Sequence, residues 1–203
     1  MIGAGSAMPA AVSPDDRDLG CALLAIARSA IAARLELPCA EETDAPALGQ
    51  LAATFVTLRA RGELRGCIGS LEPLRPLRVD VRENAVAAAF RDPRFPPLAA
   101  RELAVTSIEV SLLSRPEQLF VADEQDLARR LRPGVDGLIL EQGGRRATYL
   151  PQVWDSIPDP QDFIVALKRK AGWPQGFWGP RMNVFRYAAT KWTEREFPSA
   201  GDR

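Results

Sequence analysis

The 203-residue sequence contains no histidine. That absence removes every mechanism built on imidazole: a Ser-His-Asp or Cys-His nucleophile, an imidazole-held transition metal, a proton shuttle near neutral pH. Chemistry done by this chain alone would fall to cysteine, carboxylates, lysine or tyrosine. Lysine is almost as scarce. It occurs only at Lys168, Lys170 and Lys191, so arginine supplies the other 23 of 26 cations. Acidic residues also number 26. No cationic excess exists to neutralise a phosphate backbone, which argues against nucleic-acid binding as the main role.

Three cysteines, Cys21, Cys39 and Cys67, are an odd number at wide spacing. They form neither a disulfide framework nor a zinc pattern, and no cysteine triplet of the radical SAM kind is present. A reduced, cytoplasmic location is expected, with no metal and no cofactor. No apolar run approaches the roughly 18 to 20 residues that span a bilayer. The opening "MIGAGSAMPAAVS" lacks a cationic stretch before a long apolar one, so it does not read as a signal peptide. Residues 1–12 read as a disordered leader, residues 13–197 as one domain and residues 198–203 as a frayed tail.

What is present is an alternation of helices and hairpins. Ser13, Pro14, Asp15 and Asp16 form a helix-start signal, and Leu19, Leu23, Ile26, Ala27, Ala30 and Ile31 recur at helical spacing to about Leu35. Leu51–Arg59 reads as a strand, returned by Glu63–Ile68 through a turn at Gly62. Leu77, Val81, Ala85 and Ala88 share a helical face that Pro93 ends. In Val105–Ser114, Ile108, Val110 and Leu112 face one way, and Ser107, Glu109 and Ser111 the other. A short helix at Glu124–Leu131, a hairpin around Gly143-Gly144, a helix from Asp159-Pro160 and a last strand at Met182–Ala189 follow. Helices between hairpins predict an α+β fold with a mostly antiparallel sheet and flanking helices.

The segment "LRGCIGS" (Leu64–Ser70) places a thiol between glycines. On a strand, Leu64, Gly66 and Ile68 face one side and Arg65, Cys67 and Gly69 the other. Gly69 leaves room beside the sulfur, and Arg65 would favour the nucleophilic thiolate. The structural alternative is as direct. Free cysteine often behaves as a small buried hydrophobe, and strand glycines often mark close backbone packing.

"FVTLRARGELRGCIGSLEPLRPL", "DPRFPPL", "IEVSLLS", "GVDGLIL", "LPQVWDSI" and "KRKAGWP" together resemble the AMMECR-type domain family, named from the Alport syndrome and elliptocytosis chromosomal region. The resemblance covers about Asp15 to Glu196. It implies a compact α+β fold of two unequal subdomains, and a likeness to protein A of the AmmeMemoRadiSam system, which accompanies a Memo-type protein and a radical SAM protein. It implies no established reaction. The segment "LPCAEETDAPALGQLAAT" carries little of the pattern, so Cys39 inherits no role.

Further candidates surround these motifs. In "DPRF", Pro93 restrains both flanking charges. Arg94 would face the Cys67 pocket and hold an anionic group, or Asp92 would bond nearby amides while Phe95 fills the core. Glu109 would act as acid or base if its strand pairs near Cys67, or lie on a solvated sheet face. Lys170, in the family-like "KAG", would reach a site, or serve as a cation at a helix C-terminus as Lys168 would. Trp173, Phe177 and Trp178 would cover a pocket, present a partner surface, or pack back on the core. Two functions follow. One is a partner module acting with Memo-type and radical SAM proteins around Cys67. The other is an enzyme or ligand site with Cys67 as nucleophile or redox thiol, Arg65 and Arg94 as anion holders, and Gly66, Gly69, Glu109 and Lys170 lining it.

Overall fold

The computed structural model describes residues 16–39, 41–174 and 176–196. The expected leader, the residues Ser13, Pro14 and Asp15, and the expected tail lie outside them. In chain order the elements are α1 (Arg17–Arg34), β1 (Leu51–Ala52), β2 (Thr54–Ala60), β3 (Glu63–Gly69), β4 (Arg75–Pro76), α2 (Leu77–Phe90), α3 (Ala100–Leu103) and β5 (Thr106–Leu113). They continue as β6 (Glu117–Leu119), α4 (Glu124–Arg130), β7 (Gly137–Gln142), β8 (Arg145–Tyr149), α5 (Pro160–Lys170), β9 (Asn183–Tyr187) and β10 (Ala189–Thr193). The fold is α+β, with antiparallel strand pairs. It divides into two unequal units: the chain up to Leu113 together with Thr190 onward, and Ser114–Ala189. None of the described helices is long and apolar enough to cross a membrane.

The first unit is built on a four-stranded sheet in the order β10-β5-β2-β3. Alternation sends Val56, Leu58, Ile108 and Val110 to one face, where all are fully buried. That face packs on α1 and α2, whose Leu23, Ile26, Leu77, Val81 and Ala85 complete the core. Asp16 caps α1 by accepting the Leu19 N–H at 3.0 Å. The single strand expected from Leu51 is broken at Ala53, because β1 leaves the sheet to pair with β4.

Past the last strand expected from the sequence, Met182–Ala189, the structure continues in order. β10 adds a strand, and Glu194 takes two bonds from the Arg28 guanidinium (2.5 and 2.6 Å) and one from the Ile108 N–H. A fully buried carboxylate, Asp80 on α2, fixes the chain leaving β3. It accepts the Thr54 N–H and hydroxyl, the Asn84 amide, the Ser70 hydroxyl and Arg75. Every oxygen is bonded, as a buried carboxylate requires.

The second unit orders its strands β6-β9-β7-β8. Leu138, Leu140 and Val184 bury against Phe163, Ile164 and Leu167 of α5, with Trp154 stacked on Phe163 at 3.8 Å. Trp173 is buried here, and Phe177 and Trp178 pack against the same cluster. Packing on the core therefore describes this loop. Lys168 is 2% exposed, its ammonium bonded to Glu124 and to the Phe177 carbonyl. Lys168→Met keeps the apolar stem but strips Glu124 of its charge partner. An expected loss of about 1.5 kcal/mol is measurable by urea denaturation.

Candidate functional site

Cys67 lies on β3, an edge strand of the first sheet. It is half-buried. Its register partner on β2 is Thr57, and Thr57 in turn faces Glu109 on β5. Cysteine, threonine and glutamate thus form one row across three strands, on the face opposite the helices. The Thr57 hydroxyl donates to the Cys67 sulfur at 3.3 Å. Glu109 stands two strands from the thiol and is paired with Arg59 at 2.8 Å.

The outer edge of β3 is clamped by the loop that follows α2. Asp92 is buried, and its Oδ2 accepts the Cys67 N–H at 2.8 Å. The same carboxylate takes the Arg94 N–H (3.1 Å), its Nε (3.0 Å) and its Nη2 (2.7 Å). Arg94 Nη2 also donates to the Cys67 carbonyl at 3.3 Å. An edge strand would otherwise present these backbone groups to any passing chain. The two separated motifs, "LRGCIGS" and "DPRF", are therefore halves of one constellation. Pro93 sets the intervening backbone so that the carboxylate and guanidinium meet.

Electrostatics follow the geometry. Hydrogen bonding from the Arg94 side chain, against an opposing cost of burial, holds the Asp92 carboxyl well below the usual carboxylate range. Backbone bonds from Cys67 and Arg94 add to it. Arg94 is pushed up, mainly by its bond to Asp92, with smaller contributions from the Cys67 sulfur. Its side chain stays 53% exposed.

Arg65 donates to both carboxylate oxygens of Glu102, at 3.0 and 3.2 Å. That bond is the main reason the Glu102 carboxyl titrates below its ordinary value. Arg65 Nη1 is buried with no partner among the described residues. Phe95 does not fill the core. It is half-buried, with the Arg65 and Arg94 guanidinium carbons 5.9 and 5.5 Å from its ring centre, within cation–π range. Leu98 enters the core instead.

The glycines have packing work. A Cβ on Gly66 would stand 2.2 Å from the Ala88 carbonyl oxygen of α2. One on Gly69 would meet the Phe55 ring at 2.3 Å and the Thr54 carbonyl at 2.5 Å. The room beside the sulfur that Gly69 leaves is thus taken by Phe55. Cys67, Arg94, Arg65, Gly66 and Gly69 gather at one sheet edge. Lys170 belongs to the second unit, where its ammonium donates to the Thr148 carbonyl at 3.0 Å and lies 5.0 Å from the Tyr149 ring centre. Sequence reading missed Thr57, Glu102 and Phe55, because only strand register and loop return bring them to the edge. Among the described residues, no three Cys, Asp or Glu side chains are grouped to hold a metal ion.

A two-unit α+β protein with an arginine–aspartate clamp on a cysteine-bearing edge strand is the class these observations define. The AMMECR1 family model matches residues 24–192, and the chain belongs to that family. A protein of Methanothermobacter thermautotrophicus is 41% identical over 190 residues, covering 87% of this chain and 95% of the relative. One from Thermofilum pendens is 37% identical over 190 residues, covering 86% and 89%. The crystal structure of an uncharacterized protein from Pyrococcus horikoshii aligns with a TM-score of 0.74 at 32% identity, covering 87% of this chain and 92% of that one.

Proposed function

We propose that this chain is a cytoplasmic binding module that acts with Memo-type and radical SAM proteins through the surface around Cys67, with residues 13–197 working as one domain. One observation carries the reading: the charges near the sulfur are already engaged. Asp92 holds Arg94, Glu102 holds Arg65, and Glu109 holds Arg59. None of these three carboxylates is left poised to take a proton from a substrate. What remains is a fixed, half-exposed guanidinium beside a half-buried sulfur, a rigid arrangement suited to recognition.

Co-purification with each partner tests the proposal. A complex at about 10 micromolar or tighter is expected, weakened about tenfold by Arg94→Ala and little affected by Cys67→Ala. Partner binding should also slow iodoacetamide labelling of Cys67. In the free chain, the exposed Cys21 and Cys39 should label faster than Cys67. No complex at about 100 micromolar, or one indifferent to Arg94→Ala, overturns the reading.

The Thr57 hydroxyl on the sulfur favours a second reading. There Cys67 is a nucleophile or redox thiol, and Arg94 and the unpartnered Nη1 of Arg65 hold an anionic group. Cys67→Ala separates the two: it should abolish function in the second and spare complex formation in the first.

A further inference from the structure

The second unit carries a hollow of about 520 Å³ at the tip of the β7–β8 hairpin. It is well away in sequence from the Cys67 motifs, and the proposed function does not use it. Three arginines line it, Arg145, Arg146 and Arg181, against one carboxylate, Glu141. Glu141 and Arg146 are register partners across the hairpin and pair at 2.8 Å. Arg145 is oriented by a bond from Nη1 to the Gly172 carbonyl, which holds the side chain without neutralising it. The exposed Arg181 guanidinium has no hydrogen-bond or ion-pair partner among the described residues. The lining therefore keeps two uncompensated positive charges.

The turn itself is open. Gly143 and Gly144 adopt φ of 58° and 76°, and beyond the adjoining residues no heavy atom among the described residues lies within 4 Å of the position a Cβ would take on either. A ligand can approach this backbone directly. Glycine is needed here twice over, for the left-handed turn and for that approach.

We propose that this hollow binds a phosphate monoester of a small soluble molecule. Charge selects the class. A phosphate monoester carries about −1.5 to −2 near neutral pH, which matches the two uncompensated guanidinium charges, whereas a monocarboxylate would leave one unmet. Guanidinium forks suit phosphate oxygens in paired hydrogen bonds. The volume lies inside the roughly 300–1,000 Å³ of small-molecule sites, so a whole metabolite fits and not the anion alone.

The test is NMR titration of the full chain with inorganic phosphate and phenyl phosphate, with benzoate as the carboxylate arm. The Gly143 and Gly144 amides should shift on adding phosphate, with a Kd of about 1 mM, and phenyl phosphate should bind more tightly. Benzoate should leave them unmoved. Arg181→Gln should raise the phosphate Kd about tenfold, while Arg129→Gln, an exposed arginine of the same unit outside the hollow, should not. Unmoved glycine amides at about 20 mM phosphate overturn the proposal. So does an equal loss in Arg129→Gln, which would assign the effect to net charge. A phosphoserine peptide binding far more tightly than phenyl phosphate overturns the small-molecule assignment.

Discussion

Gly66→Ala is expected to abolish folding or to cost about 3 kcal/mol or more. The added methyl would lie 2.2 Å from the Ala88 carbonyl oxygen and 3.1 Å from its carbon. Both are backbone atoms of α2, so no side-chain rotation relieves the clash. Only separation of β3 from α2 would, and that opens the core around Val81, Ala85 and Leu58. The buried Asp80 network resists such movement, because it ties α2 to Thr54 and Ser70 on either side of the hairpin. Far-UV circular dichroism and a urea melt provide the measurement. Cys67→Ala, one residue away, should lose less than about 1 kcal/mol, since it removes one weak hydrogen bond at a half-buried position. A Gly66→Ala protein of native stability would assign the glycine to ligand access and would reopen the enzyme reading.

Asp92→Ala carries the second large effect, about 3 kcal/mol. It orphans the Cys67 and Arg94 N–H groups and frees a guanidinium held through two bonds. The exposed head of Arg94 finds water, so the orphaned Cys67 amide and the emptied, buried Asp92 site dominate the loss. Asp92→Asn should cost less, because its amide oxygen still accepts the Cys67 N–H. Its pH dependence is the sharper readout. The folded Asp92 carboxyl titrates below the unfolded value of about 3.9. Its contribution is therefore complete at neutral pH, begins to fall below about pH 5, and keeps falling as pH drops toward the folded pKa. Stability of wild type minus Asp92→Asn should be larger at pH 7 than at pH 3. A difference that grows on acidification would contradict the clamp.

Much of the frame was legible because it depends on local pattern. The period-2 alternation of Ile108, Val110 and Leu112 and the helical spacing of Leu77, Val81 and Ala85 report which face is buried whatever lies opposite. Gly143-Gly144 marks a hairpin because two successive residues there take positive φ. β10 and the Arg28–Glu194 pair were not legible. They join residues far apart in the chain, and "ATKWT", though it holds two threonines and a tryptophan, is too short to mark a strand without its partner β5. Phe95 misled for a related reason. An aromatic in a proline-rich loop reads as core, yet two guanidinium groups lie within cation–π range of its ring at the edge.

The sequence by itself determined the chemical inventory and the family: no imidazole, a glycine-flanked thiol, a restrained Asp-Pro-Arg, and motifs running nearly the length of the chain. Only the tertiary structure decided what those groups do to one another. Strand register put Thr57, not Glu109, against the sulfur, and loop return put Asp92 on the Cys67 amide. The reason is physical. Side-chain identity and period are properties of neighbouring residues, whereas hydrogen-bond partners across strands and loops are set by packing that no local stretch encodes.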